Sequence, residues 1–208
     1  MKLHLSARER AMIFALSVGG LASWLPLAAA AEQSEPKFTI TPVVEKKLKQ
    51  LPAGPLYWRI ENFATLAQAR AAEGPTSMAA EVKGKAWLFT LGAAGGSTAG
   101  GSKVAEIGPM PPTTATEYLL RVTHSGGPPG AKTPVHSHPG PEAFYILAGR
   151  MGQKTPEGVS YAQAGEGMNG RAGDVPMEVF SAGTTDLDQL VLFVVDAGKP
   201  FFAPAKLE

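Results

Sequence analysis

The stretch GAKTPVHSHPGPEAFYILAG, running from Gly130 to Gly149, decides how this chain is read. His136 and His138 stand two residues apart, so on an extended strand both imidazoles leave the same face. Pro139-Gly140-Pro141 has the composition of a turn, and Glu142 opens a second strand. That strand carries Phe144-Tyr145-Ile146-Leu147, a continuous apolar run of the kind a buried strand shows. A turn at this place can swing the Glu142 carboxylate back over the two rings. Two neutral imidazole nitrogens and one carboxylate converging in this way make a facial triad, which leaves positions on a metal ion open for water or substrate. A bare His-x-His pair would carry little weight. The frame of glycines around it carries more.

Reading outward from the pair gives Gly130, five residues, His136-Ser137-His138, three residues, Glu142, six residues, Gly149. At every fixed position this resembles the first motif of the cupin superfamily, G-x5-H-x-H-x3-4-E-x6-G. The resemblance spans about residues 113–200. It implies a double-stranded β-helix, a jelly-roll barrel, with one divalent transition metal inside it held by His136, His138 and Glu142. It does not choose among iron, manganese, nickel, zinc and copper. It also implies a homodimer, because exposed sheet edges pair across chains.

The second cupin motif, roughly G-x5-P-x-G-x2-H-x3-N, is where the chain departs from the family. The corresponding stretch runs from Gly165 to Gly183, and no histidine follows His138. Depending on a one-residue choice of register, Met177 or Pro176 takes the place of the fourth ligand. Met177 is preferred, since Ser181 then falls at the Asn position. A methionine there is either a soft thioether ligand, best suited to copper(I), or a side chain that fills the barrel and leaves three ligands. Three ligands and an open position suffice for a catalytic metal. Two further residues are candidates for supporting the site. His124 shares a strand face with Tyr118, Leu120 and Val122, and is either a replacement ligand, a neighbouring base or a hydrogen-bonded structural histidine. Gln153 could bond a bound ligand.

Composition agrees with an all-β reading. The 208 residues include 24 glycines and 18 prolines, about a fifth of the chain against the usual eighth or so. Charged residues are 18% and the net charge is +1, which argues against a coiled coil and offers no broad electrostatic footprint for nucleic acid. The absence of cysteine excludes disulfides and thiolate metal sites. Residues 1–31 read as a secretory signal peptide: Lys2, Arg8 and Arg10, then the apolar run Ala11 to Leu27, then Ala29-Ala30-Ala31. The destination is therefore the periplasm or the exterior, with no membrane association after cleavage.

Residues 32–112 are expected to form an arm and additional strands packed on the barrel, and residues 113–208 the barrel itself. Within the first part, Glu32 to Pro55 reads as the arm, with Lys46, Lys47 and Lys49 on a solvated face. Tyr57 to Phe63 is a strand, and a short helix starts from Thr65 as N-cap and stops at Gly74-Pro75. Ser77 to Leu91 is β-like, and Gly92 to Ser102 a flexible surface loop. In the second part, Tyr118 to His124 and Leu190 to Val195 are strands, and Asn169-Gly170 is the strongest hairpin signal.

Two functions compete. One is an exported metalloenzyme acting on a small molecule, dioxygenase-like or isomerase-like according to the metal. The other is a non-catalytic cupin that binds or senses a small molecule with weak metal binding or none. A surface-adhesion or stress role is a third and more distant reading. Because ligating imidazoles must be neutral, metal occupancy is expected to fall as the pH drops through about 6.

Overall fold

The computed structural model describes residues 36–207, so the segment read as a signal peptide lies outside the described residues. In chain order the elements are β1 (Thr39–Leu48), β2 (Tyr57–Phe63), α1 (Leu66–Ala71), β3 (Ser77–Val82), β4 (Lys85–Gly92), β5 (Ser102–Ile107) and β6 (Tyr118–Gly127). There follow β7 (His136–Ser137), β8 (Glu142–Ala148), β9 (Arg150–Thr155), β10 (Gly158–Gln163), β11 (Gly167–Asn169), β12 (Glu178–Ser181), β13 (Leu187–Asp196) and β14 (Ala203–Pro204). The described residues form an all-β jelly roll with extra N-terminal strands and one short helix.

The strands form three layers. The middle one is a five-stranded antiparallel sheet in the order β1-β6-β13-β8-β11. One of its faces packs on the N-terminal sheet β3-β4-β2-β5, with Trp58, Phe89, Leu120, Leu190 and Leu192 among the shared core. Its other face meets the sheet β10-β9-β12 through Phe144, Ile146, Met151, Val179 and Val191. Being covered on both sides explains why β13 and β8 read as unbroken apolar runs instead of alternating ones. The helix lies on the outer face of the N-terminal sheet, where Ala69 packs with Leu88 and Phe63. Its start is as expected, with the Thr65 side chain accepting from the Gln68 amide at 3.2 Å.

Three local readings change. The segment read as an arm contains β1, a full strand paired along β6 from Thr39↔Gly126 to Leu48↔Tyr118, so a piece of the N-terminal part completes the barrel sheet. Asn169-Gly170 is not a hairpin: β11 pairs with β8 whereas β12 pairs with β9. There the Asn169 side chain donates to the Pro109 carbonyl at 2.7 Å and the Gly170 amide donates to the Glu142 carbonyl at 2.9 Å. The Gly92–Ser102 stretch is a loop, but a tethered one. The Thr98 amide and hydroxyl both donate to the buried Glu61 carboxylate, which also pairs with Arg59.

The turn that separates the histidines from Glu142 is built into the central sheet. The Val194 amide donates to the Pro141 carbonyl and the Asp196 amide to the Pro139 carbonyl, both at 3.0 Å. Between those contacts a Cβ on Gly140 would lie 2.2 Å from the Val194 carbonyl oxygen. Only glycine lets the turn come that close. Gly149 closes the motif with φ +75°, turning β8 into β9.

Candidate metal centre and ligand cavity

Strand β7 sits between two partners, and together they fix its histidines. It pairs with β14 by Pro204↔His136 and Ala203↔Ser137. On its other side His136 and Met177 exchange both backbone hydrogen bonds, at 2.9 and 2.7 Å. The alternation of a strand then puts both imidazoles on the inner side, with ring centres 4.8 Å apart and planes 82° to each other. His136 Nδ1 lies 2.8 Å from the Pro134 carbonyl and His138 Nδ1 lies 2.6 Å from the Phe201 carbonyl. A carbonyl can only accept, so each ring carries its proton on Nδ1 and keeps a lone pair on Nε2. Burial holds both histidines below their ordinary pKa, His138 down to about 4.

Glu142, at the start of β8, is fully enclosed and burial pushes its carboxyl up to about 8. The Gln153 amide on β9 donates to Glu142 Oε1 at 2.8 Å and to the Met177 sulfur at 3.3 Å. Glu142 Oε2 stands 3.9 Å from His138 Nε2. Ligands at right angles on an ion with bonds of roughly 2.1 Å lie about 3 Å apart, so this pair stands open by comparison. Among the described residues no group of three or more His, Asp or Glu is spaced to hold a metal ion. In kind, though, the donor set fits a divalent transition metal. Two neutral imidazoles are oriented by carbonyls on their far nitrogens, the arrangement metal-binding histidines show, and a carboxyl and a thioether stand beside them.

These groups open onto a cavity of about 280 Å³ on the inner face of the central sheet. Three rows of paired residues cross the sheet here: Glu45, Arg121, Phe193 and Glu142; then Pro42, Thr123, Val191 and Phe144; then Ile40, Ser125, Gln189 and Ile146. All of them but Glu45 and Ile146 line the cavity. The C-terminal segment covers one side. The Phe202 ring stacks on His136 at 4.9 Å, and the Phe201 ring lies 4.7 Å from His138 and 4.9 Å from Phe193. The Arg121 guanidinium lies over Phe201 at 3.9 Å, with Nε 2.6 Å from Glu45 Oε1. A larger cleft of about 630 Å³ elsewhere is lined mostly by prolines and aliphatic residues, with Gln50, Thr113 and Tyr118 but without a histidine or a carboxylate. The smaller cavity is the one that the two histidines and Glu142 border.

Of the residues singled out in the sequence, His136, His138, Glu142, Met177 and Gln153 come together, and Met177 rather than Pro176 lies across from His136. His124 does not join them. Its strand face, with Leu120 and Val122, packs on the N-terminal sheet, and His124 Nε2 bonds to Asp188, which also pairs with Lys83. The opposite face of β6, with Arg121, Thr123 and Ser125, lines the cavity. The sequence reading missed Arg121, Ser125, Gln189, Phe201 and Phe202. For the first two only half of the signal was present: the alternation of β6 shows its polar face, but the sheet that covers the other face is what marks the polar one as the cavity wall.

No protein family and no curated protein matches this chain. Solved structures do. A cupin domain from Bordetella pertussis is 24% identical over 36% of this chain and 80% of that one, with a TM-score of 0.31. A DMSP lyase from Ruegeria pomeroyi is 22% identical over 43% of this chain and 44% of that one, TM-score 0.37. An oxalate decarboxylase variant from B. subtilis is 18% identical over 41% of this chain and 24% of that one, TM-score 0.36. The chain spans less than two thirds of the length of the lyase and decarboxylase chains and of the other first structures it matches.

Proposed function

We propose that this chain is an exported cupin-type protein that holds one divalent transition metal on His136, His138 and Glu142 and presents it to a small molecule in the adjoining cavity. The observation that carries this reading is the locking of both buried imidazoles by carbonyls, which leaves two Nε2 lone pairs beside a buried carboxyl. A bound cation would supply Lewis-acid polarisation of a ligand oxygen, or a redox centre if it is iron or copper. Gln153 holds the Glu142 carboxyl in place and Met177 stands behind it, as a filler or a weak soft ligand. The apolar walls exclude water from the ligand. A homodimer in the periplasm or outside the cell completes the proposal.

A second reading, binding without turnover, has one observation in its favour. Beyond His136, His138 and Glu142 the cavity is lined by no other carboxylate or imidazole, so no separate general base faces the ligand.

Thermal melting tests the metal site. Saturation to about 100 times the dissociation constant stabilises by about 2.7 kcal/mol. At roughly 2–4 °C per kcal/mol for a domain of this size, the melting point should rise by about 5–10 °C over chelator-treated protein. In the His136→Ala, His138→Ala double variant the two melting points should coincide. A wild-type protein that melts at the same temperature with zinc, manganese, nickel, copper or ferrous iron as with chelator would overturn the proposal.

A further inference from the structure

The cavity has two polar ends and an apolar middle. Its first row holds Arg121 and Glu142 beside His138; its third holds Ser125 and Gln189. Four residues along a strand separate Arg121 from Ser125, about 13 Å. Phe144, Val191 and Phe193 wall the space between. Among the described residues four buried side-chain nitrogen or oxygen atoms have no hydrogen-bond partner. Two of them, Trp58 Nε1 and Ser181 Oγ, belong to residues outside the cavity wall; the other two are Arg121 Nε and Gln189 Oε1, one at each end. The N–H of Arg121 is not aimed along its short contact with Glu45, so that ion pair leaves the donor unmatched.

Gln189 is 1% exposed, and its amide nitrogen donates to Ser125 Oγ at 3.2 Å. A buried amide with one unmatched atom costs about 1–3 kcal/mol. Such a group is retained where something else binds it. Turned by half a rotation, the amide would accept from Ser125 and leave its nitrogen unmatched instead. A hydroxyl donates and accepts, so it satisfies Gln189 in either orientation. At the other end a guanidinium offers five donors in a planar fork, enough for Glu45 at the mouth and a second carboxylate inside. A volume of about 280 Å³ is at the low end for ligand sites and limits the occupant to a small molecule.

We propose that the cavity takes a small hydroxylated carboxylic acid with a slender apolar body, its carboxylate toward Arg121 and the metal centre and its hydroxyl on Gln189 and Ser125. The proposal rests on reading this cavity as the ligand site of the metal centre, and deepens it by naming the ligand class. Arg121 and Gln189 are then specificity residues, reading opposite ends of one molecule.

Calorimetric titration with 4-hydroxycinnamate, cinnamate and 4-hydroxycinnamide tests it, on metal-loaded and on chelator-treated protein. The wild type should bind the hydroxylated acid at least about tenfold more tightly than cinnamate, a difference of about 1.4 kcal/mol. Gln189→Met should bring the two acids within about twofold of each other, and Ser125→Ala should reduce the preference in the same direction. Arg121→Met should erase the preference for the acid over the amide and leave the hydroxyl preference intact. Equal binding of the two acids by the wild type, a hydroxyl preference that survives in Gln189→Met, or no binding of either acid would overturn the proposal. If Gln189→Met fails to fold, Ser125→Ala decides by the same criterion. A hydroxyl preference in protein that takes up no metal would fail the metal reading alone, and metal uptake without the preference would fail this one alone.

Discussion

Loading the metal-free protein with a divalent cation at pH 7 should release close to one proton. The perturbation is simple and the structure supplies the number. Burial raises the Glu142 carboxyl to about 8 and holds His138 down to about 4, with His136 also below its ordinary value. At pH 7 a group with a pKa of about 8 is about 0.9 protonated, and it must lose that proton to bind a cation. The histidines are already neutral and release nothing. Calorimetry with manganese or nickel in buffers of different ionisation enthalpy gives the count: about 0.9 at pH 7, about half at pH 8 and about 0.1 at pH 9. Apparent affinity should rise about tenfold per pH unit up to pH 8. The same carboxyl fixes the sign of its contribution to folding. Its folded pKa lies above its unfolded value of 4.5, so the stability it lends the metal-free protein is present below pH 4.5 and is lost as the pH rises through about 8. A release near zero at pH 7, or one that appears only below pH 6.5, would refute the reasoning. The latter would restore the imidazoles as the titrating groups, as the unburied sequence suggests.

Two substitutions probe the surroundings. Met177→His puts an imidazole across from His136 and beside Gln153, and should tighten zinc binding at least tenfold in competition with a chromogenic chelator; unchanged affinity would mean that position 177 does not reach the ion. Gly140→Ala drives a methyl to 2.2 Å from the Val194 carbonyl oxygen, and overpacking against backbone should cost at least about 2 kcal/mol in denaturant titration. A loss below about 0.5 kcal/mol would show that the Pro139–Pro141 turn is not held as tightly as its two hydrogen bonds to β13 suggest.

Much of the site was legible because its residues lie close in sequence. The His136, His138 and Glu142 spacing needs only strand alternation and one turn to converge. The register choice that preferred Met177 over Pro176 needed only the motif spacing, and in the structure Met177 pairs across from His136. Gln153 lies just beyond the turn at Gly149, close enough to reach back. Of the three readings open for His124, the hydrogen-bonded structural histidine is the one the structure matches, and the ligand and neighbouring-base readings fall. Strand β6 alternates between an apolar and a polar face, and a second sheet covers the apolar face that carries His124. Covering by the N-terminal strands is a long-range event that alternation on one strand cannot disclose. The same holds for the C-terminal Phe201 and Phe202, which reach the site only because β14 pairs with β7, 68 residues earlier by the pairing of Pro204 with His136. The hairpin expected at Asn169-Gly170 failed because tertiary partners, Pro109 and Glu142, occupy the groups a tight turn would have used.

The most direct test of the central claim is elemental analysis of the protein expressed from the whole 208-residue sequence and purified without added metal or chelator. The account predicts about one transition-metal ion per chain for the wild type and none for the His136→Ala, His138→Ala double variant prepared in parallel. Equal metal content in the two proteins would contradict it.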